Sequence, residues 1–278
     1  MTMPALHPLN DEFQWRGSPL AGRLEPDQRR RFDEDGFLLY EGAFDADQVA
    51  RAIAEIDPFE QRVEDFLQTR EDGRMFIARA GEITFSTHLV TRSSFLREMS
   101  AAPAILALCH DLIGPEVRLY WDQAVYKKPG TMKEFPFHQD NGYTYVEPQQ
   151  YLTCWVALTD ADETNGCPWV IPGWHRRGTL RHEMTDLGWR CVTSSEDAVP
   201  VTARAGDIVV FSSLTPHRTG PNLSQEARKA YILQYAPDGA QVRGEDSAVT
   251  PQDDATRQYP VLQGGEPVLP PPLPPGAK

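Results

Sequence analysis

Between residues 117 and 236 the chain breaks into short apolar and aromatic runs: VRLYWDQAVYKK (117–128), YLTCWVALTD (151–160), CPWVIPG (167–173), GDIVVFSS (206–213) and AYILQYA (230–236). β-Branched and aromatic residues suit a pleated, half-buried surface, and Gly, Pro, Asn or Asp bounds each run, so each predicts a strand. KKPG (127–130) and DETNG (162–166) supply reversals that neighbouring antiparallel strands require. A region built this way is all-β.

The first 115 residues read differently. PDQRRRFDEDG (26–36) has a proline near a helix start and Gly36 at its end. FLLY (37–40) is a short strand, and DADQVARAIAEID (45–57) brings Val49, Ile53 and Ile56 to one helical face. AAPAILALCHDLI (101–113), closed by Gly114, predicts another helix. Residues 1–25 are polar and Pro/Gly-rich, an N-terminal arm laid over the domain or left loose. One catalytic domain is expected over 26–240, helical to about 115 and all-β over about 117–236. Residues 241–278 end in PVLPPPLPPGAK and predict an extended Pro-rich tail.

Composition narrows the function classes. The chain of 278 residues is 40% hydrophobic and 24% charged, the mixture of a globular protein, and no apolar run approaches the ~20 residues of a membrane span. A net charge of −13 repels phosphate backbones, and RRR (29–31) and HRRG (175–178) are too short to reverse that, so no nucleic-acid partner is expected. The N-terminus lacks a basic start and an apolar core, and Cys109, Cys154, Cys167 and Cys191 form no CxxC pair. Cytoplasmic location with reduced, buried thiols is the expectation. Oligomeric state leaves no readable trace.

Residues 137–145 read FHQDNGYTY. In an extended segment residues i and i+2 point the same way, so His138 and Asp140 can reach one ion while Gln139 faces elsewhere. A third ligand is required, and His217, in the Pro-His turn that ends GDIVVFSSLTPH, is the candidate. A rolled double sheet makes such distant strands neighbours. Two histidines and a carboxylate leave other metal positions open, as in non-haem Fe(II) oxygenases. Arg228, just before KAYILQYA, stands where the next strand can carry a guanidinium back towards the metal, to meet a carboxylate in two parallel hydrogen bonds.

With these elements in order, the chain resembles the phytanoyl-CoA dioxygenase family of Fe(II)/2-oxoglutarate oxygenases. The likeness runs through FDEDGFLLYEGAF (32–44), KKPG, FHQD (137–140), WVALTDADETNGCPWVIPGWH (155–175), AGDIVVFSSLTPH (205–217) and Arg228. It implies a double-stranded β-helix, or cupin-like jelly roll, with N-terminal helices packed on one side. It also implies iron at His138, Asp140 and His217, and 2-oxoglutarate at Arg228. Thr219 matches a hydroxyl that joins that arginine, Trp155 a tryptophan lining the co-substrate pocket, and Gln123 a polar position near the site. The implied reaction uses O2, converts 2-oxoglutarate to succinate and CO2, and hydroxylates an unactivated C–H bond. Tyr143, Tyr145 and Trp174 are candidate substrate contacts.

Two other classes share the outline. A cupin-like metalloenzyme would use the roll without 2-oxoglutarate, usually with an HxH pair where this chain has His-Gln-Asp. A non-catalytic module would bind metal or 2-oxoglutarate as a sensor. Related halogenases leave the carboxylate position to a small residue, so Asp140 favours hydroxylation over halogenation. The substrate is expected to be a small molecule, with desaturation or ring closure as variant outcomes. Residues 62–95 and 176–200 lack a clear period and are the expected lid.

Overall fold

The computed structural model describes residues 4–10, 12–244 and 248–273. α1 (Pro26–Asp35) starts at proline and stops at Gly36, whose left-handed backbone (φ 82°) suits glycine. A Cβ there would lie 2.3 Å from His175 Nδ1 and 2.6 Å from Thr215 Oγ1, so the turn admits no side chain. β1 (Phe37–Tyr40) leads to α2 (Ala46–Gln68), capped by the Asp45 carboxylate, which accepts from the Gln48 N–H. α2 continues through Pro58 instead of ending at residue 57. β2 (Arg74–Met75), β3 (Ala78–Arg79) and β4 (Ile83–Thr87) follow, then α3 (Ser94–Met99) and α4 (Pro103–Leu112).

The β region begins with β5 (Val117–Lys127), β6 (Phe135–His138), β7 (Val146–Glu147), β8 (Leu152–Ala157) and β9 (Pro168–Val170). It continues with β10 (Glu183–Thr185), β11 (Gly188–Arg190), β12 (Val199–Pro200), β13 (Ile208–Ser212), β14 (His217–Thr219) and β15 (Arg228–Pro237). The main sheet runs β1-β13-β8-β15-β5-β4-β3-β2, and a smaller one runs β12-β9-β14-β6, with antiparallel pairing in both. The result is the jelly roll.

Period-two alternation divides the main sheet into two faces. Leu152, Cys154 and Val156 of β8, Ile208 and Val210 of β13, and Tyr231, Leu233 and Tyr235 of β15 pack with α1–α4 in one core. Their neighbours Trp155, Ala157, Val209, Phe211, Ala230 and Ile232 face the interior of the roll, against Val170 and Cys167. Each fully buried aliphatic chain contributes about 1.5–3 kcal/mol, so the helical layer is what makes one sheet face available to a site.

The segment expected as an extended tail carries four short strands among its described residues. β16 (Gln241–Arg243) pairs with β7 and with β17 (Val249–Pro251), while β18 (Pro260–Gln263) pairs with β5 and with β19 (Glu266–Pro267). Tyr259, Val261 and Leu262 are buried in the main core, an apolar anchor that the surrounding prolines obscure in the sequence. Leu269 and its proline neighbours lie outside any regular element; the last five residues fall outside the described ones. The N-terminal arm lies on the body, with Leu6 bridged to Leu180 and Asn10 Nδ2 donating to the carbonyls of Arg177 and Thr179, each at 3.0 Å.

Candidate active site

β14 and β6 pair with His217 directly opposite His138. Gln139 is extended (φ −107°, ψ 142°) and a short 3-10 turn begins at Asp140, so the carboxylate returns to the same side as the His138 ring. His138, Asp140 and His217 offer ligand atoms within 4.8 Å of one another, with each histidine Nε2 at 3.8 Å from Asp140 Oδ1. The histidine Nδ1 atoms lie 2.9 Å from the Pro136 carbonyl and 3.0 Å from the Thr215 carbonyl. A carbonyl only accepts, so Nδ1 carries the proton and Nε2 presents a lone pair to the shared space. Burial, with His217 next to it, holds His138 well below the ordinary histidine range and therefore neutral, as a metal ligand must be.

The turn bearing these groups is braced from beneath. Gln139 is fully buried; its amide donates to the carbonyls of Gly178 and Leu214, and its oxygen accepts from the Leu180 N–H. The Thr153 hydroxyl donates to Asp140 Oδ2 and accepts from Gln234 Nε2 at 3.2 Å. Asp140 is thereby held with Oδ1 facing the histidines. Thr153 and Gln234 thus bear on the cluster's carboxylate, and neither was among the residues expected from the sequence. Thr153 shares the sheet face of Trp155 two residues on, a period-two signal that was available.

Arg228 opens β15 opposite Lys127 and is 1% exposed. Its Nη1 lies 3.4 Å from the Val125 carbonyl and its guanidinium 5.3 Å above the Trp155 ring. Nε and Nη2 are buried with no hydrogen-bond partner among the described residues. Burial lowers its pKa to about 10, still high enough to keep the charge at neutral pH. An unpaired buried guanidinium is costly and calls for an anion. Lys127, itself buried, donates to the carbonyls of Lys133 (3.2 Å), Thr219 (3.4 Å) and Gly220, tying the loop after β14 to β5 and keeping Thr219 near Arg228.

Arg228, Thr219, Trp155, Gln123 and Tyr143 all line one cavity of about 500 Å³ together with His138, Asp140 and His217. Tyr145 and Trp174 do not line it. Tyr145 stacks on His7 at 4.8 Å and donates its hydroxyl to the Leu9 carbonyl at 2.6 Å, while Trp174 packs beneath the Arg177 guanidinium, 4.3 Å away. Both hold neighbouring chain, which corrects their reading as substrate contacts. Residues 62–95 and 176–200 do reach the cavity, through Met75–Ala78 and Trp189.

The donor set suits a divalent, borderline-to-hard metal with open positions, and the orphaned guanidinium suits the far carboxylate of a dicarboxylic co-substrate. A jelly roll with both is the architecture of an Fe(II)/2-oxoglutarate-dependent dioxygenase. The family model for phytanoyl-CoA dioxygenase (PhyH) matches residues 32–230, and the chain belongs to that family. It is 27% identical to mouse phytanoyl-CoA dioxygenase domain-containing protein 1, covering 76% of this chain and 89% of that one. It is 28% identical to the ectoine dioxygenase of Bordetella bronchiseptica, covering 77% and 76%. Among solved structures, the epimerase SnoN in complex with Fe3+, alpha ketoglutarate and nogalamycin RO is similar, with TM-score 0.61 and 25% identity over 77% of this chain and 84% of that one. The protein is an Fe(II)/2-oxoglutarate dioxygenase. No helix among the described residues is long and apolar enough to cross a membrane.

Proposed function

We propose that His138, Asp140 and His217 hold Fe(II), that Arg228 with Thr219 binds the distal carboxylate of 2-oxoglutarate, and that the protein hydroxylates a C–H bond of a small organic substrate. The observation that carries this reading is the buried Arg228 guanidinium, with two unpartnered nitrogens, lining the same cavity as the His-Asp-His cluster. When bound, iron with 2-oxoglutarate and O2 supplies the oxidising power, releasing succinate and CO2.

The chain's own residues supply placement and dryness. Thr153 and Gln234 hold Asp140, the two backbone carbonyls orient the imidazoles, and the Trp155 face limits where the Arg228 guanidinium can sit. The Tyr143 ring stands edge-on to His138 at 5.2 Å and keeps water from that side of the cluster. Gln123 lines the cavity as a polar neighbour of the co-substrate. Asp140 occupies the carboxylate position, which favours oxygen transfer over halide transfer.

The catalytic unit, expected over 26–240, extends to about residue 267, since β18 and its flanks bury Tyr259, Val261 and Leu262 in the main core. A charge of −13 and four free, buried cysteines support a cytoplasmic protein with no nucleic-acid partner. The test is succinate formation from 2-oxoglutarate under air by the iron-loaded protein, across a small-molecule library, with product mass read in parallel. A product one oxygen heavier, formed in step with succinate, supports hydroxylation. Absence of succinate above a metal-free control with every compound would refute the reading.

A further inference from the structure

The cavity lining combines few charged groups with many aromatic ones. Of the described side chains that line it, only Asp140 and Arg228 are charged. In the reading above, on which this inference rests, both are taken by metal and co-substrate. The rest of the lining is rich in aromatic side chains, Phe85, Tyr120, Trp121, Phe135, Tyr143 and Trp189 among them, together with aliphatic ones such as Ile83 and Ile232. A substrate carboxylate or phosphate there would lose its hydration without gaining a partner, which is strongly unfavourable. Flat rings or an alicyclic skeleton would gain apolar burial plus ring-face contacts. Thr87, Thr144 and Gln234 line the same space and can hydrogen-bond a hydroxyl or carbonyl group. At about 500 Å³, part of it needed by 2-oxoglutarate, the cavity holds a compound of a few rings.

Two hairpins frame the mouth. Arg74 and Arg79, on β2 and β3, both donate to the Asp186 carbonyl between β10 and β11, at 2.9 and 2.8 Å. Gly188 (φ 116°) lets the second hairpin settle on the site, since a Cβ there would lie 2.5 Å from Tyr143 Oη. At the tip of the first hairpin, Phe76 sits at φ 53°, a left-handed backbone that bulky residues avoid, and is 59% exposed while also lining the cavity. Glycine would be the unstrained choice at that turn, so a strained, exposed phenyl ring at the mouth points to a task other than folding.

We propose that the substrate is an uncharged, largely apolar ring compound, held by the aromatic side chains of the cavity wall and covered by Phe76, which selects against anionic and acyl-CoA substrates. The test uses full-length protein supplied anaerobically with Fe(II) and saturating 2-oxoglutarate, so that Asp140 and Arg228 are occupied, and reads tryptophan fluorescence, to which Trp121 and Trp189 contribute from the wall itself. Probes are flavanone, a steroid ketone and camphor, against a carboxylated flavanone, ectoine and a medium-chain acyl-CoA. At least one neutral ring compound is expected to bind saturably, and the carboxylated flavanone at least ten-fold more weakly than its parent. Phe76→Gly removes both ring and strain: it is expected to raise the unfolding temperature and yet weaken neutral-ring binding at least five-fold.

Absence of binding by all three neutral compounds, or equal or tighter binding of the carboxylate, ectoine or acyl-CoA, would overturn the proposal. So would a Phe76→Gly variant that binds as wild type does. The co-substrate reading is checked separately by the visible band of the anaerobic Fe(II)–2-oxoglutarate complex in wild-type protein. Ring binding without that band leaves the substrate class standing and removes the co-substrate reading; the band without ring binding does the reverse.

Discussion

Replacing Arg228 with methionine separates a ligand-binding arginine from a structural one. The guanidinium is 1% exposed, two of its nitrogens have no partner among the described residues, and burial lowers its pKa to about 10. In the ligand-free protein it is therefore a buried charge without adequate compensation. Exchange for an apolar chain of similar length is expected to leave stability unchanged or raise it by about 1–3 kcal/mol. With 2-oxoglutarate the sign reverses. Two hydrogen bonds between charged groups are lost, together about 3–4 kcal/mol, so the affinity falls by roughly 10²–10³-fold. Arg228→Lys keeps charge but not the parallel pair of donors, and an intermediate loss of about ten-fold is expected. Calorimetric titration of 2-oxoglutarate into the Fe(II)-loaded protein, with thermal unfolding in its presence and absence, reads both effects. An affinity within three-fold of wild type for Arg228→Met would refute the assignment. A loss of several kcal/mol in the ligand-free protein would show instead that the arginine holds the fold.

Two further perturbations follow from the same geometry. Thr153→Val removes the hydroxyl that orients Asp140 while keeping the side-chain shape; Fe(II) affinity should fall about 10–100-fold with the fold retained, as read by metal titration and circular dichroism. Asp122 is fully buried and accepts from the Val90 N–H and the Tyr231 hydroxyl; burial outweighs these bonds and raises its pKa to about 6 from 3.8. The folded state thus binds this proton more tightly than the unfolded chain, so Asp122's contribution is fully present below about pH 4 and is lost as pH rises through about 6. Relative to wild type, Asp122→Asn should gain about 2–3 kcal/mol between pH 4 and pH 8 in denaturant unfolding, and a pH-independent difference would contradict the assigned shift.

What could be read from the chain depended on how local each determinant is. Alternation in YLTCWVALTD places Trp155 and Thr153 on one face and Cys154 and Val156 on the other, and the structure follows that division. The two-residue step from His138 to Asp140 is equally local. That His217 stands opposite His138, and Arg228 opposite Lys127, depends on strand register across about eighty to a hundred residues, which no local pattern encodes. There the resemblance to a known family supplied what spacing alone did not. The hairpins at the mouth escaped because strands of two or three residues are too short to show a period; tertiary bonds from Arg74 and Arg79 to the Asp186 carbonyl hold them together. Tyr143 and Tyr145 sit two residues apart in one aromatic run, yet only Tyr143 faces the cavity. The short turn at Asp140–Gly142 breaks the extended alternation before either is reached. Beyond residue 240 the prolines suggested an extended tail, but a single apolar strand, PVLQ, was enough to dock on β5.

The central claim is that one cavity joins iron to 2-oxoglutarate through His138, Asp140, His217 and Arg228. Its most direct test is an anaerobic titration of metal-free protein with Fe(II) and then 2-oxoglutarate, following the visible charge-transfer band of the chelate in wild type, His138→Ala and Arg228→Met. The account predicts a saturable band in wild type, none in His138→Ala, and one in Arg228→Met only at far higher 2-oxoglutarate concentration. Iron binding without a band in the wild-type protein, or an undiminished band in His138→Ala, would contradict it.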